Sequence, residues 1–231
     1  MKVNLCRKAS GLPYLSKYDM EEYAEAFLNR FNANLLKEPA PIPIEEFLEQ
    51  HLKLEMDYAD ITPDRSILGL TAFDSGHILV YDSEKHTGRR IYVDKGTVVI
   101  DNSLLRNGQE GRCRFTCAHE AGHWIFHREM FDPRRRKFLT DEDWMEWQAN
   151  FMSACLLMPK KTFVMAAYKI FKGAGIKEKY IEIGKNRYLD KFSNYIPVEM
   201  SNIFNVSIQA ASIRLRELKL IRENLAQSVV N

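Results

Sequence analysis

The residues best suited to chemistry lie in one short stretch, residues 115–124, which contains the pattern His-Glu-x-x-His. His119 and His123 are four residues apart, so on a helix they share one face with Cβ atoms about 5–6 Å apart. Two imidazoles at that separation can bind one zinc ion at bond lengths of about 2.0–2.1 Å. Glu120 flanks the metal, where its carboxylate can take a proton from water. The pattern therefore predicts a metal site suited to hydrolysis.

A catalytic zinc site needs a third protein ligand and one open position. His127 is excluded as that ligand, because it lies eight residues after His119. On one helix that is about 12 Å along the axis, at about 1.5 Å per residue. We interpret His127 as a helix-end residue that packs or hydrogen-bonds nearby. The alternative is a role beside a ligand histidine.

The next predicted helix offers a better third ligand, Glu146. The acids at residues 141–143 are typical of the first helical turn, where negative charge is favoured, whereas Glu146 lies further in. Its helical neighbours form a narrow stripe of small side chains: Ala149, Asn150 and Ser153. Gly122 removes bulk from the opposite side, so a second helix can approach closely. We therefore predict Glu146 as the third metal ligand and Asn150 as a side chain that orients a ligand histidine.

Two cysteines, Cys113 and Cys117, precede the histidines on the same predicted helix. Cys117 and His119 are about 200° apart around a helix, so they cannot share a metal ion. We interpret both cysteines as small buried residues. With four irregularly spaced cysteines and no apolar signal segment in residues 1–10, we expect reduced thiols in a cytoplasmic protein.

The period of the apolar residues predicts the elements that position these side chains. A long helix should carry the histidines, and another, starting near an N-cap at Thr140, should carry Glu146. Before them the period becomes that of strands, with a hairpin turn at residues 74–76 and a second turn at residues 94–96. The predicted helices are residues 18–36, 44–52, 109–129 and 140–159. Two more are predicted between residues 197 and 221, around a turn at Asn205 and Val206, with Ser207 capping the second. The predicted strands are residues 67–73, 77–81, 90–93 and 97–100.

Composition sets the class of protein. The chain has 231 residues, 45% apolar and 28% charged, as in ordinary globular proteins, and no run of about 18 apolar residues that could span a membrane. The net charge of +2 is uneven, because residues 160–231 carry 13 basic and 6 acidic side chains. A solvated lysine-rich face explains this excess, and contact with nucleic acid or an acidic protein is the alternative.

The C-terminal stretch, residues 206–221, resembles the second helix of a helix-turn-helix. Its basic residues are candidates for binding nucleic acid or a partner: Arg214, Arg216, Lys219 and Arg222. Its apolar residues could instead pack the helix pair onto the rest of the protein: Ile213, Leu215, Leu218 and Leu220. Packing or partner docking is the favoured interpretation, and DNA binding is possible but not favoured.

Residues 115–127 and 146–159 together resemble the ImmA/IrrE family of bacterial metallo-endopeptidases. The resemblance implies that His119, His123 and Glu146 hold the metal and that Glu120 is catalytic. It also implies an α+β, zincin-like core, in which a small, mostly antiparallel sheet packs on the helices that carry His-Glu-x-x-His. A helix-turn-helix-like segment follows this core. Family members often have Glu or Arg at the position of Gln148 and Ala at that of Met152, and neither position belongs to the predicted ligand set.

Three segments are expected: the metallopeptidase core in residues 1–160, a basic connection of helical pieces and loops in 161–195, and the helix-turn-helix-like segment in 196–231. The expected activity is zinc-dependent peptide hydrolysis, with Mn²⁺ as an alternative metal and with a Tyr, His or Arg near the metal to stabilise the oxyanion. The family's usual substrate is a helix-turn-helix repressor, whose cleavage relieves repression. The alternative function is a non-catalytic regulator that binds a partner or DNA.

Overall fold

The computed structural model describes residues 6–8, 11–106, 108–131, 142–184 and 192–223. The predicted N-cap Thr140 lies outside the described residues. Within them, no helix is both long enough and apolar enough to cross a membrane. The chain forms two compact units, one comprising Met1–Ala26 and Pro43–Leu156, the other Phe27–Ile42 and Leu157–Asn231. The division into two units does not test the three segments predicted from the sequence, which remain a prediction.

The first unit contains a three-stranded sheet and a separate hairpin. The sheet has the order β1-β5-β2, with β1 parallel and β2 antiparallel to the central, fully buried β5. The hairpin pairs β3 with β4 in antiparallel register. The strand bounds are β1 Glu55–Ala59, β2 Gly69–Thr71, β3 Gly76–Asp82, β4 Thr87–Val93 and β5 Thr97–Asp101. Buried residues from both sheets form one apolar cluster, which includes Ala59, Ala72, Val80, Val93 and Val99.

The α+β class with small, mostly antiparallel sheets is confirmed, but the one strand pairing predicted from the sequence is wrong. The strand before residues 74–76 pairs with β5, so no hairpin forms there, and β3 pairs with β4 instead. The predicted turn at residues 94–96 is present, with Gly96 at a φ of 93° and Thr97 N donating to the Asp94 carbonyl at 3.1 Å, and it joins strands that lie in different sheets. β1 was not predicted, because most of its side chains are exposed and it has no apolar run.

The helices of the first unit position the histidines and Glu146. α1 (Lys17–Asn32) begins in this unit, and α2 (Ile44–Glu46) continues as a π-helical turn, Phe47–Leu52. A 3-10 turn, Asn102–Leu105, then leads towards α3 (Glu110–His127), which is followed by α4 (Glu142–Leu157). A Cβ at Gly122 of α3 would lie 3.0 Å from Ala149 Cα in α4. The close approach predicted at Gly122 is therefore confirmed.

The second unit is mainly helical. Its elements are a 3-10 turn Ala33–Leu36, α5 (Lys160–Gly173), β6 (Ile181–Ile183), α6 (Phe192–Phe204), α7 (Ile208–Glu217) and β7 (Ile221–Glu223), with β6 parallel to β7. Asn205, with φ of 50°, turns the chain between α6 and α7, and Ser207 accepts a hydrogen bond from Ala210 N at 3.1 Å. This matches the predicted turn and cap. α6, however, begins before Pro197, which lies inside it.

Candidate active site

Three predicted ligands converge on one point between α3 and α4. The Nε2 atoms of His119 and His123 are 2.9 Å apart. The two carboxylate oxygens of Glu146 lie 3.3 Å from His119 Nε2 and 3.2 Å from His123 Nε2. Ligands at about 2.0–2.1 Å from a tetrahedral zinc ion are separated by about 3.3 Å. The three side chains therefore fit a zinc ion.

Asn150 orients the first of these rings. Its Oδ1 lies 3.1 Å from His119 Nδ1. Because an amide oxygen only accepts, Nδ1 of His119 carries the proton, and the Nε2 lone pair is directed at the point where the ligands meet. Asn150 lies one turn after Glu146 on α4, so one helix supplies both a ligand and the side chain that orients another ligand.

A buried chain of hydrogen bonds orients the second ring. Gln148 Nε2 donates to the carbonyl of Pro13 at 2.8 Å, so its Oε1 faces Nε2 of His127, 2.9 Å away. His127 must donate from Nε2, which leaves its Nδ1 to accept from His123 Nδ1 at 3.0 Å. His123 therefore also presents a bare Nε2. Two Nε2 atoms without protons cannot hydrogen-bond to each other, but both can bind a metal ion.

His127 is thus in contact with a ligand histidine, which is the alternative that the sequence left open. The ring is fully buried. Burial lowers the pKa of His127 to about 3, against the opposing effect of the hydrogen bond to Gln148. His127 is consequently neutral, and the direction of the hydrogen-bond chain is fixed.

Glu120 lies beside the three ligands, and its carboxylate is held by β2. Thr71 Oγ1 donates to Glu120 Oε2 at 2.7 Å. A Cβ at Gly69 would lie 2.6 Å from Glu120 Oε1, so only glycine leaves room for the carboxylate at this position. Burial raises the pKa of Glu120, and the hydrogen bond from Thr71 opposes that rise. A buried carboxylate with a raised pKa has the properties of a general base.

The charges of the three converging side chains reinforce one another. When a proton occupies Nε2 of His119 or His123, its hydrogen bond to Glu146 holds the pKa of that carboxyl well below its ordinary range. Burial lowers the pKa of His119, but the same hydrogen bond and the charges of Glu120 and Glu146 outweigh burial and raise it overall. A metal ion at this point therefore competes with a proton for Nε2. The carboxylate of Glu146 is thus ionised, as a metal ligand requires.

A cleft of about 530 Å³ opens over these residues. One wall is residues 66–69 with Thr71, and apolar rings including Phe73, Phe115 and Phe131 line the rest. Phe73 stacks on Phe131 with ring centroids 4.2 Å apart. Within the described residues, β2 is an edge of its sheet, so this wall has a free strand edge. The cleft can accommodate an extended chain with an apolar side chain.

The expected oxyanion-stabilising Tyr, His or Arg is not assigned. Among the described residues that line the cleft, no Tyr, Arg or Lys is present, and the histidines there are the two predicted ligands. The neutral polar side chains that line it are Ser66, Thr71, Thr116 and Asn150.

Sequence reasoning missed three residues that position the site: Gly69, Thr71 and Gln148. Gly69 and Thr71 act across a strand-to-helix contact of 49 to 51 positions in sequence, which no local spacing reveals. Gln148 carried a signal, because it lies two residues after Glu146 at a position where the resembling family often has a charged residue. Its side chain is buried and contacts His127, which in turn contacts a ligand.

The basic residues at the C-terminus have different surroundings. Arg214 is fully buried and donates from Nε and Nη2 to the carbonyl of Met158, at 3.2 and 3.1 Å. The prediction that Arg214 binds nucleic acid or a partner is therefore corrected, because it holds the chain beyond the end of α4. Arg216 and Lys219 are exposed. Arg222 is also exposed, and its guanidinium lies 3.7 Å from the ring centroid of Tyr180.

The apolar residues predicted to pack the C-terminal helix pair are not all buried. Ile213 is 48% exposed and does not belong to the core, whereas Leu215 and Leu220 are buried as predicted. Ile213 is exposed because its neighbours Arg214 and Leu215 occupy the buried face of α7.

Comparison with known protein families gives a match that includes the candidate site. A family model described as Peptidase M78, IrrE N-terminal-like domain, matches residues 75–216, more than half of the chain. The match includes α3 and α4 with all three converging ligands. No curated protein matches.

Proposed function

Because the chain belongs to the family of IrrE N-terminal-like domains, a metallopeptidase family, we propose that it is a zinc-dependent endopeptidase. His119, His123 and Glu146 would hold the metal, and Glu120 would be the general base. The observation that carries this proposal is the convergence of the three ligand groups within 3.3 Å, beside a buried carboxylate. Two imidazoles and one carboxylate suit zinc, and Mn²⁺ is the alternative.

A divalent metal ion at this point supplies Lewis acidity, which acidifies a water molecule and polarises the scissile carbonyl. Glu120 accepts the proton of the attacking water and returns it to the leaving amine. Thr71 keeps the carboxylate in place during both transfers through its hydrogen bond to Oε2. Asn150 and His127 hold the two imidazoles, so that little reorganisation is needed when substrate binds.

The edge of β2 is the proposed binding site for the substrate backbone. The backbone groups of Leu68 and Ala72 hydrogen-bond to β5. Because these groups alternate in direction along an antiparallel strand, the backbone N–H and C=O groups of Gly69 and Thr71 point to the free edge. An extended peptide can add to this edge by β-augmentation. Its apolar side chain would then face the stacked rings of Phe73 and Phe131.

A helix-turn-helix transcriptional repressor is the proposed substrate, and its cleavage would relieve repression. This part of the proposal follows from the family resemblance and not from any contact in the cleft. The cleft adds one requirement, because a strand-like backbone is needed along β2. The cut is therefore expected in an extended linker of the repressor and not within a helix.

The test compares the native gene with a Glu120→Gln replacement in the host cell, by proteome-wide identification of new protein N-termini. Glu110→Gln, an exposed acid at the start of α3, is the matched control. We expect a truncated helix-turn-helix protein with the native gene and the control but not with Glu120→Gln, whose zinc content should be unchanged. A truncated protein of another class would overturn the repressor assignment alone. Identical N-termini in all three strains would overturn the peptidase and favour a regulator that binds a partner.

A further inference from the structure

α3 carries a second group of metal-binding side chains on the side away from His119. Cys113 and Cys117 of this helix lie with Glu45 of α2, and their two sulfurs and one carboxylate oxygen are all within 4.8 Å of one another. From the sequence alone, the two cysteines are interpreted as small buried residues, because their spacing excludes a metal ion shared with His119 and does not reveal Glu45. The carboxylate that approaches them comes from 68 positions upstream of Cys113.

The geometry of this group has a simple origin. Residues four apart on a helix lie on one face, which places the thiols of Cys113 and Cys117 together. Both cysteines are buried, whereas Glu45 is exposed at the start of α2. An ion can therefore reach the buried sulfurs from solvent along the carboxylate.

The ligand chemistry of the group favours a thiophilic divalent ion. Zinc binds thiolate sulfur at about 2.3 Å and carboxylate oxygen at about 2.0–2.2 Å in tetrahedral geometry, which separates two sulfurs by about 3.8 Å. Because the three ligand atoms already lie within 4.8 Å of one another, rotation of the two thiol groups and of the exposed Glu45 side chain can bring them to such distances. Two thiolates, one carboxylate and a divalent ion together carry a net charge of −1. Arg114 is close enough for its charge to interact with those of Glu45 and Cys113, and its positive charge offsets that excess.

We propose that Glu45, Cys113 and Cys117 form a second metal site, which binds zinc through two sulfurs and one oxygen and leaves a fourth position to solvent. A bound ion would link α2 to α3, one helical turn before the catalytic histidines. The proposal is independent of the peptidase activity, because it uses none of the residues of the active site.

The test titrates the reduced, metal-free protein with Co²⁺ and records the near-ultraviolet thiolate-to-metal charge-transfer band. Only a site with sulfur ligands gives this band, so Co²⁺ in the active site, whose proposed ligands are nitrogen and oxygen atoms, does not contribute to it. In His123→Ala, which should not hold the active-site metal, we expect a band that saturates at one equivalent. In the wild type, where Co²⁺ also fills the active site, the band should saturate by two equivalents, and competing Zn²⁺ should abolish it in both proteins. Cys113→Ala should abolish it, and Glu45→Gln should weaken Co²⁺ binding by about tenfold or more.

Cys155→Ala is the matched control, since Cys155 is a buried cysteine of α4 outside the group. It should leave the band unchanged. The proposal is overturned by the absence of the band in the reduced wild type, by its persistence in Cys113→Ala, or by its loss in Cys155→Ala. An unchanged Co²⁺ affinity in Glu45→Gln, an exposed position where folding is not at risk, would remove the carboxylate from the site.

Discussion

Gln148 Oε1 lies 2.9 Å from His127 Nε2, at the centre of a buried chain that runs from the Pro13 carbonyl to His123. Each group in the chain can donate or accept in only one direction, because the carbonyl end can only accept. The chain therefore determines which nitrogen of His123 is bare, although Gln148 itself does not contact the ligand set. The side-chain amide of Gln148 thus determines the tautomer of His123, and it acts through the one histidine that lies between them, His127.

Replacing Gln148 by Leu should weaken zinc binding without removing a ligand. The substitution leaves the buried Nε2–H of His127 without its acceptor, and the His127 ring can then turn away from His123. Loss of a side chain that orients a metal ligand costs about 10–100-fold in affinity. Competition with a chromophoric chelator measures the change, in a Cys113→Ala background that lacks the proposed second site. Gln50→Leu, an exposed glutamine in the π-helical turn, is the control and should bind zinc as the wild type does. Equal affinity in the two variants would contradict the role of Gln148.

Gly69→Ala should abolish peptide cleavage while zinc remains bound. The new Cβ would lie 2.6 Å from both Glu120 Oε1 and Thr116 Cγ2, so the carboxylate must leave its position. Loss of a positioned general base costs about 10²–10⁴-fold in turnover. Gly76→Ala is the control, because a Cβ there has nothing within 4 Å. Cleavage of the identified substrate measures both variants, and full activity of Gly69→Ala would show that Glu120 is not held as described.

Gly122→Ala should destabilise the first unit. Its Cβ would lie 3.0 Å from Ala149 Cα and 3.1 Å from the Ala149 carbonyl oxygen, and neither backbone atom can move without shifting α4. Overpacking of this kind costs about 1–3 kcal/mol in the free energy of unfolding. Urea unfolding of the metal-free protein measures it. At Gly173 a Cβ meets nothing within 4 Å, so Gly173→Ala should be neutral or slightly stabilising. A Gly122→Ala variant as stable as the wild type would show that the two helices are not in close contact.

Arg214→Met should destabilise the second unit, in contrast to Arg216→Met. The first substitution removes both hydrogen bonds to the Met158 carbonyl, and an unsatisfied buried acceptor costs about 1–3 kcal/mol. Arg216 is exposed, so its replacement should change the free energy of unfolding by less than about 0.5 kcal/mol. Thermal or urea unfolding distinguishes the two. Equal stabilities would return Arg214 to the set of candidate surface residues.

The sequence was most informative where residues interact within one helix or between two helices with small side chains. The spacing of His119 and His123 follows from the helical repeat alone, and the small stripe after Glu146 anticipated the approach of Gly122 to Ala149. These features depend on residues three or four positions apart. Helical periodicity is therefore enough to predict them.

Contacts between distant segments could not be predicted in this way. The partner of β2 is β5, whereas the turn residues 74–76 suggested a local hairpin. Strand pairing depends on which strand offers the more buried face, and β5 is buried at every residue. Two other contacts could not be predicted for the same reason, the hydrogen bond from Thr71 to Glu120 and the approach of Glu45 to the cysteines. Both join segments 49 or more positions apart in the sequence.

The central claim is that His119, His123 and Glu146 form one zinc site, and zinc content by elemental mass spectrometry tests it most directly. The measurement is made in a Cys113→Ala background, which removes the proposed second site from the count. We predict about one zinc per chain in that background, retained with Asp143→Ala, an exposed acid three residues before Glu146, and lost with His123→Ala or Glu146→Ala. Zinc retained with Glu146→Ala, or absent from the Cys113→Ala background itself, would contradict the account.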